Sequence, residues 1–378
     1  MISPTELSRR WSRLRDRLVG ADLDAVIVTG GPATAELIHI SGYQYRGGNA
    51  IFLLARNGDV RLILRGPFGL SLPRPTESWV SGTSSEIVYE PMSATPLPDS
   101  AIDWLKAHDA TRVAVNVPTI AALTQALTEA LPHVSVVSWQ AELLQSRFVK
   151  GEEELDIIRR SVAIADEIFA RAAEFVQVGR PVAKVVTDVH RFALDHGADP
   201  ARDAYQGSLN LIFRHKPGGV NGYAEDTRPL EKGDTFTLEI SPRVHGYFSQ
   251  LTVPVSIGPA GPEMRRLFDV TARAREAGLA EVRPGSNSAR AAQAMLDVIA
   301  EEGFEPVNTD IGHLLGIELT EPRLGLNNVI EFEAGMTLVF HPSIRSDAAS
   351  LFMRGDTYVV TDSEPQRLNS SPVEFLEV

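Results

Sequence analysis

Apolar residues in the first part of the chain alternate between helical and strand spacing. Residues Leu7 to Leu18 carry apolar side chains at steps of three and four, which predicts an amphipathic helix, and Ala25 to Val28 forms a short apolar strand. Two further apolar runs, 50–55 and 60–64, flank Asn57-Gly58, a dipeptide that strongly favours a hairpin. Later strands at 113–115 and 134–137 enclose a helix at 120–130. The pattern predicts an α/β domain over residues 1–150.

Near residue 150 the pattern changes to long helices followed by short strands. Three glutamates at 152–154 stand where a helix N-terminus favours negative charge. Apolar side chains then recur at steps of three and four from Leu155 to Ala172. Further helices are predicted over 182–196, 264–282 and 288–302, and the remaining residues favour strands. We therefore expect a second, α+β domain over residues 151–378.

Composition and charge narrow the classes of function. The chain has 378 residues, a hydrophobic fraction of 43% and a net charge of −13, so we expect neither nucleic acid nor an anionic membrane as partner. No apolar run approaches the roughly 20 residues of a membrane span. The absence of cysteine excludes disulfides and thiolate catalysis. The first residues lack the pattern of a secretory signal, and a cytoplasmic location is expected.

Four segments of the second domain carry the candidate chemistry. The first is a predicted hairpin, in which strands 235–240 and 247–253 join through His245-Gly246 and allow Glu239 and Gln250 to face each other. The others are residues 311–322, 335–342 and 353–361. A single histidine in an apolar strand is more often a core residue than a functional one. Glu239 in an apolar strand is more informative, because buried glutamates are uncommon unless paired, protonated or bound to metal.

In order and spacing these segments resemble the creatinase, prolidase and aminopeptidase P family, whose catalytic domain is called the pita-bread fold. The resemblance also covers the entry to the long helix at Lys150-Gly151-Glu152-Glu153, the break at Gly179-Arg180-Pro181 and a strand position at 203–208. It implies an α/β N-terminal domain followed by an α+β pita-bread domain. It further implies a site in which two aspartates, one histidine and two glutamates hold two metal ions that activate water.

Residue by residue, the metal positions of that family have changed in this chain. The two aspartate positions hold Glu239 and Gln250, the histidine position keeps His313, and the two glutamate positions hold His341 and Gly355. A glutamine adds no negative charge and a glycine has no side chain. The resemblance therefore implies that the metal pair is lost, and we expect no cofactor.

Three functional hypotheses follow from this mapping. The first is a metal-independent, creatinase-like hydrolase that acts on a C–N bond of a small polar metabolite, or catalyses a related acid/base reaction such as elimination or cyclisation. The second is an enzyme with one zinc or iron(II) ion on Glu239, His313 and His341, or an Xaa-Pro peptidase-like hydrolase that uses the same residues. The third is a non-catalytic binding protein.

In the first hypothesis the predicted catalytic residues are Glu239, His313, His341 and Glu321. The predicted substrate-binding residues are Tyr205, His215, Tyr223, Gln250, Arg345 and Arg354. Relatives in the resembling family are commonly homodimers, which predicts a homodimer here and a contribution to the partner's site from Tyr43, Tyr45 and Arg46. The expected ligand is a small-molecule substrate.

Overall fold

The computed structural model of this chain describes residues 2–31, 33–42, 48–66, 86–91, 96–116, 120–200, 209–212, 221–222, 226–347, 349 and 351–378. These residues divide into two compact units, Met1–Arg147 and Phe148–Val378.

The first unit is an α/β domain with a mixed sheet. Its helices are α1 (Pro4–Gly20), α2 (Ala35–Ser41), α3 (Asp99–Ala107), α4 (Ile120–Ala130) and α5 (Gln140–Gln145). Its strands are β1 (Ala25–Gly30), β2 (Asn49–Ala55), β3 (Val60–Gly66), β4 (Glu86–Pro91), β5 (Arg112–Val115) and β6 (Ser135–Ser138), in the order β4-β3-β2-β1-β5-β6. Strands β2 and β3 form the antiparallel hairpin that Asn57-Gly58 predicts, and β1 is also antiparallel to β2. The outer strands β4, β5 and β6 each add in parallel.

Both faces of the central strands β1, β2 and β3 are buried, which explains why these strands are almost continuously apolar. On one face Ile27 and Leu53 pack in a core with Leu105 and Leu127, from α3 and α4. On the other, Phe52 lies 5.8 Å from the Trp11 ring of α1. A sheet covered on both sides needs apolar residues at every position.

The second unit is built from helices packed on short, twisted sheets. Its helices are α6 (Glu152–Ala170), α7 (Ala172–Phe175), α8 (Val182–Asp195), α9 (Pro262–Leu279) and α10 (Ser288–Glu301). Its strands are β7 (Leu209–Ile212), β8 (Asn221–Gly222), β9 (Thr235–Ile240), β10 (Arg243–Val244), β11 (Tyr247–Phe248), β12 (Leu251–Ser256), β13 (Glu305–Pro306), β14 (Asp310–Leu314), β15 (Arg323–Gly325), β16 (Thr337–Phe340), β17 (Ser343–Arg345), β18 (Phe352–Met353), β19 (Thr357–Val359), β20 (Gln366–Arg367) and β21 (Leu376–Glu377).

Two five-stranded sheets of this unit carry the candidate site. The first has the order β21-β12-β9-β7-β8, and the second has the order β15-β14-β16-β19-β20. Helices α6 and α8 contact the strands of the first, whereas α10 contacts β14 and β15 of the second. Helices α9 and α10 pack tightly because Gly278 has no side chain: a Cβ there would lie 2.0 Å from the Met295 methyl group.

The predicted hairpin at 235–253 is more elaborate than the pattern indicates. Strand β9 ends at Ile240, a small hairpin of β10 and β11 follows, and β12 begins only at Leu251. His245 and Gly246 form the turn of the small hairpin, both with positive φ. The prediction of one strand over 247–253 is therefore wrong, because residues 247–248 pair with β10 whereas β12 pairs with β9.

Candidate active site

Glu239 and Gln250 lie side by side where β9 meets β12. Glu239 is paired with Thr252 across the ladder, and Gln250 precedes β12 directly. The Gln250 Nε2 atom donates a hydrogen bond to Glu239 Oε1 over 3.0 Å. Burial raises the pKa of Glu239 above its usual value, and the bond from Gln250 opposes that rise only in part.

The main chain of Gln250 is anchored, while one end of its side chain is not. Its N–H donates to Thr357 Oγ1 over 3.0 Å, and the same hydroxyl donates to the Gln250 carbonyl over 2.8 Å. The Oε1 atom is buried and has no partner in the described part of the chain. A buried acceptor left unpaired is unfavourable, so Oε1 is a point at which a bound molecule with an N–H group would be favoured.

His313 lies on β14 with its tautomer set by the backbone. Its Nδ1 atom lies 3.0 Å from the carbonyl oxygen of Leu314. Because a carbonyl oxygen only accepts, Nδ1 carries the proton in the neutral ring and Nε2 presents a lone pair. The side chain is buried, and burial together with repulsion from His341 lowers its pKa to about 3.

His341 follows β16 and lies beside His313. The two ring centroids are 5.0 Å apart in an edge-on arrangement. The His341 N–H donates to the carbonyl of Ile311, which ties the loop to β14. Its Nδ1 is buried, with no hydrogen-bond partner in the described residues beyond its own main chain. Burial lowers its pKa to about 4, so both rings are neutral near pH 7.

Gly355 joins the two pairs. Its main chain exchanges hydrogen bonds with Thr252, the residue opposite Glu239. A Cβ at this position would lie 2.6 Å from the Phe340 carbonyl and 3.0 Å from His341 Cβ. Gly355 therefore lies between Thr252 and His341, and position 355 has space only for glycine.

The donors at these positions do not form a metal-binding set in this chain. Among the described residues, no group of three or more histidine, aspartate or glutamate side chains is placed to hold an ion. Gln250 and Gly355 supply no charge, and Glu239 is the only carboxylate among the five positions. The residues present do not fit a two-metal centre.

Glu321 forms a buried ion pair with Lys150. Its carboxylate accepts a hydrogen bond from the Lys150 ammonium over 2.8 Å, and both side chains are 1% exposed. Its main-chain N–H donates to the Leu314 carbonyl, the oxygen that also receives His313 Nδ1–H. The structure thus places Glu321 in a buried ion pair behind His313, where it supports the segment that positions the ring.

The two candidate arginines lie apart from the paired residues. Arg345 is exposed on β17. Arg354 is buried, with its guanidinium 3.3 Å from the Asp356 carboxylate and stacked over the Phe268 ring. Asp356 and Phe268 hold the Arg354 side chain, and these contacts give no support to the prediction that it binds substrate. Tyr205, His215 and Tyr223, like Tyr43, Tyr45 and Arg46, lie outside the described residues.

Sequence reasoning passed over two residues that the structure brings to the site. Lys150 belongs to the motif at the start of α6, yet its pairing with Glu321 is invisible in a local pattern. Thr357 anchors Gln250 from the neighbouring sheet. A lysine between the apolar Val149 and a helix start was the available signal for the first, and no signal pointed to the second.

The comparison with protein families supplies the identification. The model of metallopeptidase family M24 matches residues 156–362. The chain belongs to this family. It is 24% identical over 233 residues to an Xaa-Pro dipeptidase of Pyrococcus furiosus, a match that spans 61% of this chain and 65% of that protein. It is 22% identical over 393 residues to a creatinase of a Bacillus species, covering 98% and 92%.

A solved structure agrees with the fold. The dipeptidase PepE of Mycobacterium ulcerans superposes with a TM-score of 0.81 at 24% identity, over 100% of this chain and 99% of that one. The likeness confirms the predicted combination of an α/β N-terminal domain and a pita-bread C-terminal domain. Membership of M24 confirms the expectation of a hydrolase-type enzyme acting on C–N bonds.

The same membership corrects the expectation about cofactors. M24 is a metallopeptidase family, so the expectation that this chain works without a cofactor is wrong at the level of its family. The donor set at the five positions nevertheless departs from a two-metal centre, so the roles assigned below belong to the chain's own side chains. Among the described residues, no helix has the length and apolarity to span a membrane.

Proposed function

We propose that this chain hydrolyses the amide C–N bond of a small peptide-like substrate of the Xaa-Pro dipeptide class. The observation that carries the proposal is that Gly355 links the Glu239–Gln250 pair to the His313–His341 pair, through Thr252 on one side and His341 on the other. These groups offer complementary donors and acceptors within a buried setting, where hydrogen bonds to a bound amide are strengthened. Peptidases among the relatives support the substrate class.

Each side chain has a role that its contacts support. The lone pair of His313 Nε2 accepts a hydrogen bond from the attacking water and orients it. Gln250 Oε1, which lacks a partner among the described residues, accepts an N–H from the substrate. The Glu239 oxygen that Gln250 does not occupy holds the substrate's polar group near the bond to be cleaved. His341 Nδ1, which is also buried, offers a further polar atom to the substrate.

The test is an assay of amine release from Xaa-Pro dipeptides, dipeptides without proline, and creatine. Each is assayed with chelator and with added manganese, cobalt or zinc. We expect turnover of dipeptides, with a loss of about 100-fold in kcat/KM for His313→Ala and for Glu239→Gln. Arg191→Gln, which changes an arginine that is 82% exposed on α8, is the control and should retain full activity.

The outcomes separate the alternatives. Turnover of creatine alone would replace the proposed substrate class with a small guanidino compound. No turnover of any substrate, with or without metal, would refute the proposal. We also expect a homodimer, which light scattering at several protein concentrations tests directly.

A further inference from the structure

Three arginines surround one aspartate in the second unit. Asp356 is fully buried, and its Oδ1 accepts a hydrogen bond from Arg367 Nη2 over 2.6 Å. Its Oδ2 accepts from Arg354 Nη2 over 3.3 Å and from Arg275 Nη1. The three guanidinium groups come from β20, from the segment before β19, and from α9. We call Arg275, Arg354, Arg367 and Asp356 the arginine cluster.

The charges of the arginine cluster do not balance. Three guanidinium groups and one carboxylate leave an excess of two positive charges. In the described part of the chain no second carboxylate pairs with these arginines. Burial, together with repulsion from Arg275, lowers the pKa of Arg354 to about 10. Asp356 offsets only one of the three positive charges. Buried charge that is not offset is strongly unfavourable, so a bound anion would stabilise the cluster.

Each arginine also retains an N–H that the protein leaves unused. Arg275 Nε, Arg354 Nη1 and Arg367 Nε are buried and have no hydrogen-bond partner among the described residues. The side chains of Arg275 and Arg354 are 4% and 3% exposed, so water does not solvate them. Guanidinium groups are suited to carboxylates and phosphates because their planar N–H donors match pairs of oxygen atoms.

The arginine cluster is separate from the candidate active site. Arg354 and Asp356 flank Gly355, and side chains alternate between the two faces of an extended segment. Position 355 is directed at His341 and Thr252, whereas the two neighbours contact Phe268 and the other arginines. The cluster therefore occupies the opposite face of the segment from the residues assigned to catalysis.

We propose that Arg275, Arg354 and Arg367 form a second binding site, for a doubly charged tetrahedral oxyanion of the phosphate class. Two negative charges match the excess of the cluster, and three unused donors match an ion with several oxygen atoms. Arg367 is the most exposed of the three, at 25%, so the ion enters the cluster on the side of this residue. The site does not depend on the substrate proposed for the active site.

Thermal unfolding in matched ionic strength tests the site. At about pH 8 inorganic phosphate is mainly the doubly charged ion, and a phosphomonoester, whose second pKa is about 6, is fully so. We expect phosphate in large excess over Kd to raise Tm by about 4 °C relative to chloride or acetate, because the ion binds only the folded chain. Glycerol phosphate in a parallel series shows whether the site takes phosphomonoesters or the free ion alone.

Variants locate the effect. Arg367→Gln should abolish the rise in Tm that phosphate causes. Arg354→Met should also abolish it, and should not lower Tm in chloride because it removes the repulsion between Arg354 and Arg275. The control Arg191→Gln removes a charge from an exposed position and should keep the full increment. No increment in the unaltered chain, or an undiminished increment in both cluster variants, would overturn the proposal.

Discussion

The Lys150 ammonium lies 2.8 Å from the Glu321 carboxylate, and each side chain is 1% exposed. The pair joins the start of α6 to the segment after β14, and Lys150 Nζ also donates to the Phe148 carbonyl. Since Glu321 shares the Leu314 carbonyl with His313, the ion pair supports the geometry of the candidate site.

Removing one partner of this pair should strongly destabilise the chain. Lys150→Met leaves the Glu321 carboxylate buried without a counter-charge, and we expect a loss of about 3–5 kcal/mol in the free energy of unfolding. Urea unfolding measures it. The surface pair Lys184 and Asp188 supplies the control, because Lys184→Met should change stability by less than about 1 kcal/mol. If the two substitutions lowered the free energy of unfolding equally, the buried pair would contribute no more to stability than the surface pair.

Position 355 should accept no side chain without rearrangement. Gly355→Ala places a Cβ at 2.6 Å from the Phe340 carbonyl, and we expect the free energy of unfolding to fall by about 1–3 kcal/mol. Turnover should also fall, because the new methyl group displaces His341. Gly20→Ala, where no atom lies within 4 Å of the new Cβ, is the matched control and should leave both unchanged. A fully stable, fully active Gly355→Ala variant would contradict the close packing of this segment.

The two histidines should make stability fall as pH is lowered. Their folded pKa values of about 3 and about 4 lie below the unfolded value of about 6.5. Their stabilising contribution is therefore complete above pH 6.5. It is lost as pH falls toward 4, because the unfolded chain binds protons that the folded chain excludes.

Each histidine contributes a slope of at most about 1.4 kcal/mol per pH unit. Glu239, whose pKa is raised, acts in the opposite direction and loses its contribution as pH rises through its folded pKa. Urea unfolding across this range should give a shallower slope for His313→Gln/His341→Gln than for the unaltered chain. His133→Gln, at an exposed position, should not alter the slope. Parallel slopes for all three proteins would exclude neutral buried histidines.

A carboxylate at position 250 should conflict with Glu239. Gln250→Glu brings two acidic groups into contact where a 3.0 Å hydrogen bond now exists. We therefore expect the free energy of unfolding to fall by about 2–4 kcal/mol at neutral pH. The loss should shrink when manganese or zinc is added, or when pH is lowered so that one carboxyl is protonated. Thermal unfolding with and without metal measures this. An unaltered chain with the same metal response would show that its own donors already bind the ion.

Much of the fold was predictable from local pattern. Helix α4 has the predicted bounds, the Asn57-Gly58 hairpin is present, and α6 begins at the three glutamates. Periodicity succeeds there because each element buries one face, and the spacing of apolar residues records that face. It failed at 247–253, where the strand is divided into β11 and β12 although Tyr247, Phe248 and Leu251 are all apolar and buried.

The sequence by itself determined which residue types stand at the five family positions, and hence that Gln250 and Gly355 bring no charge there. Only the tertiary structure decided the partners of the charged groups. Glu321 pairs with a lysine 171 residues away, and Arg354 joins Asp356 on the face opposite Gly355. The reason is physical: apolar periodicity reports burial, but the partner of a buried charge depends on which distant segments the fold brings within a few ångströms.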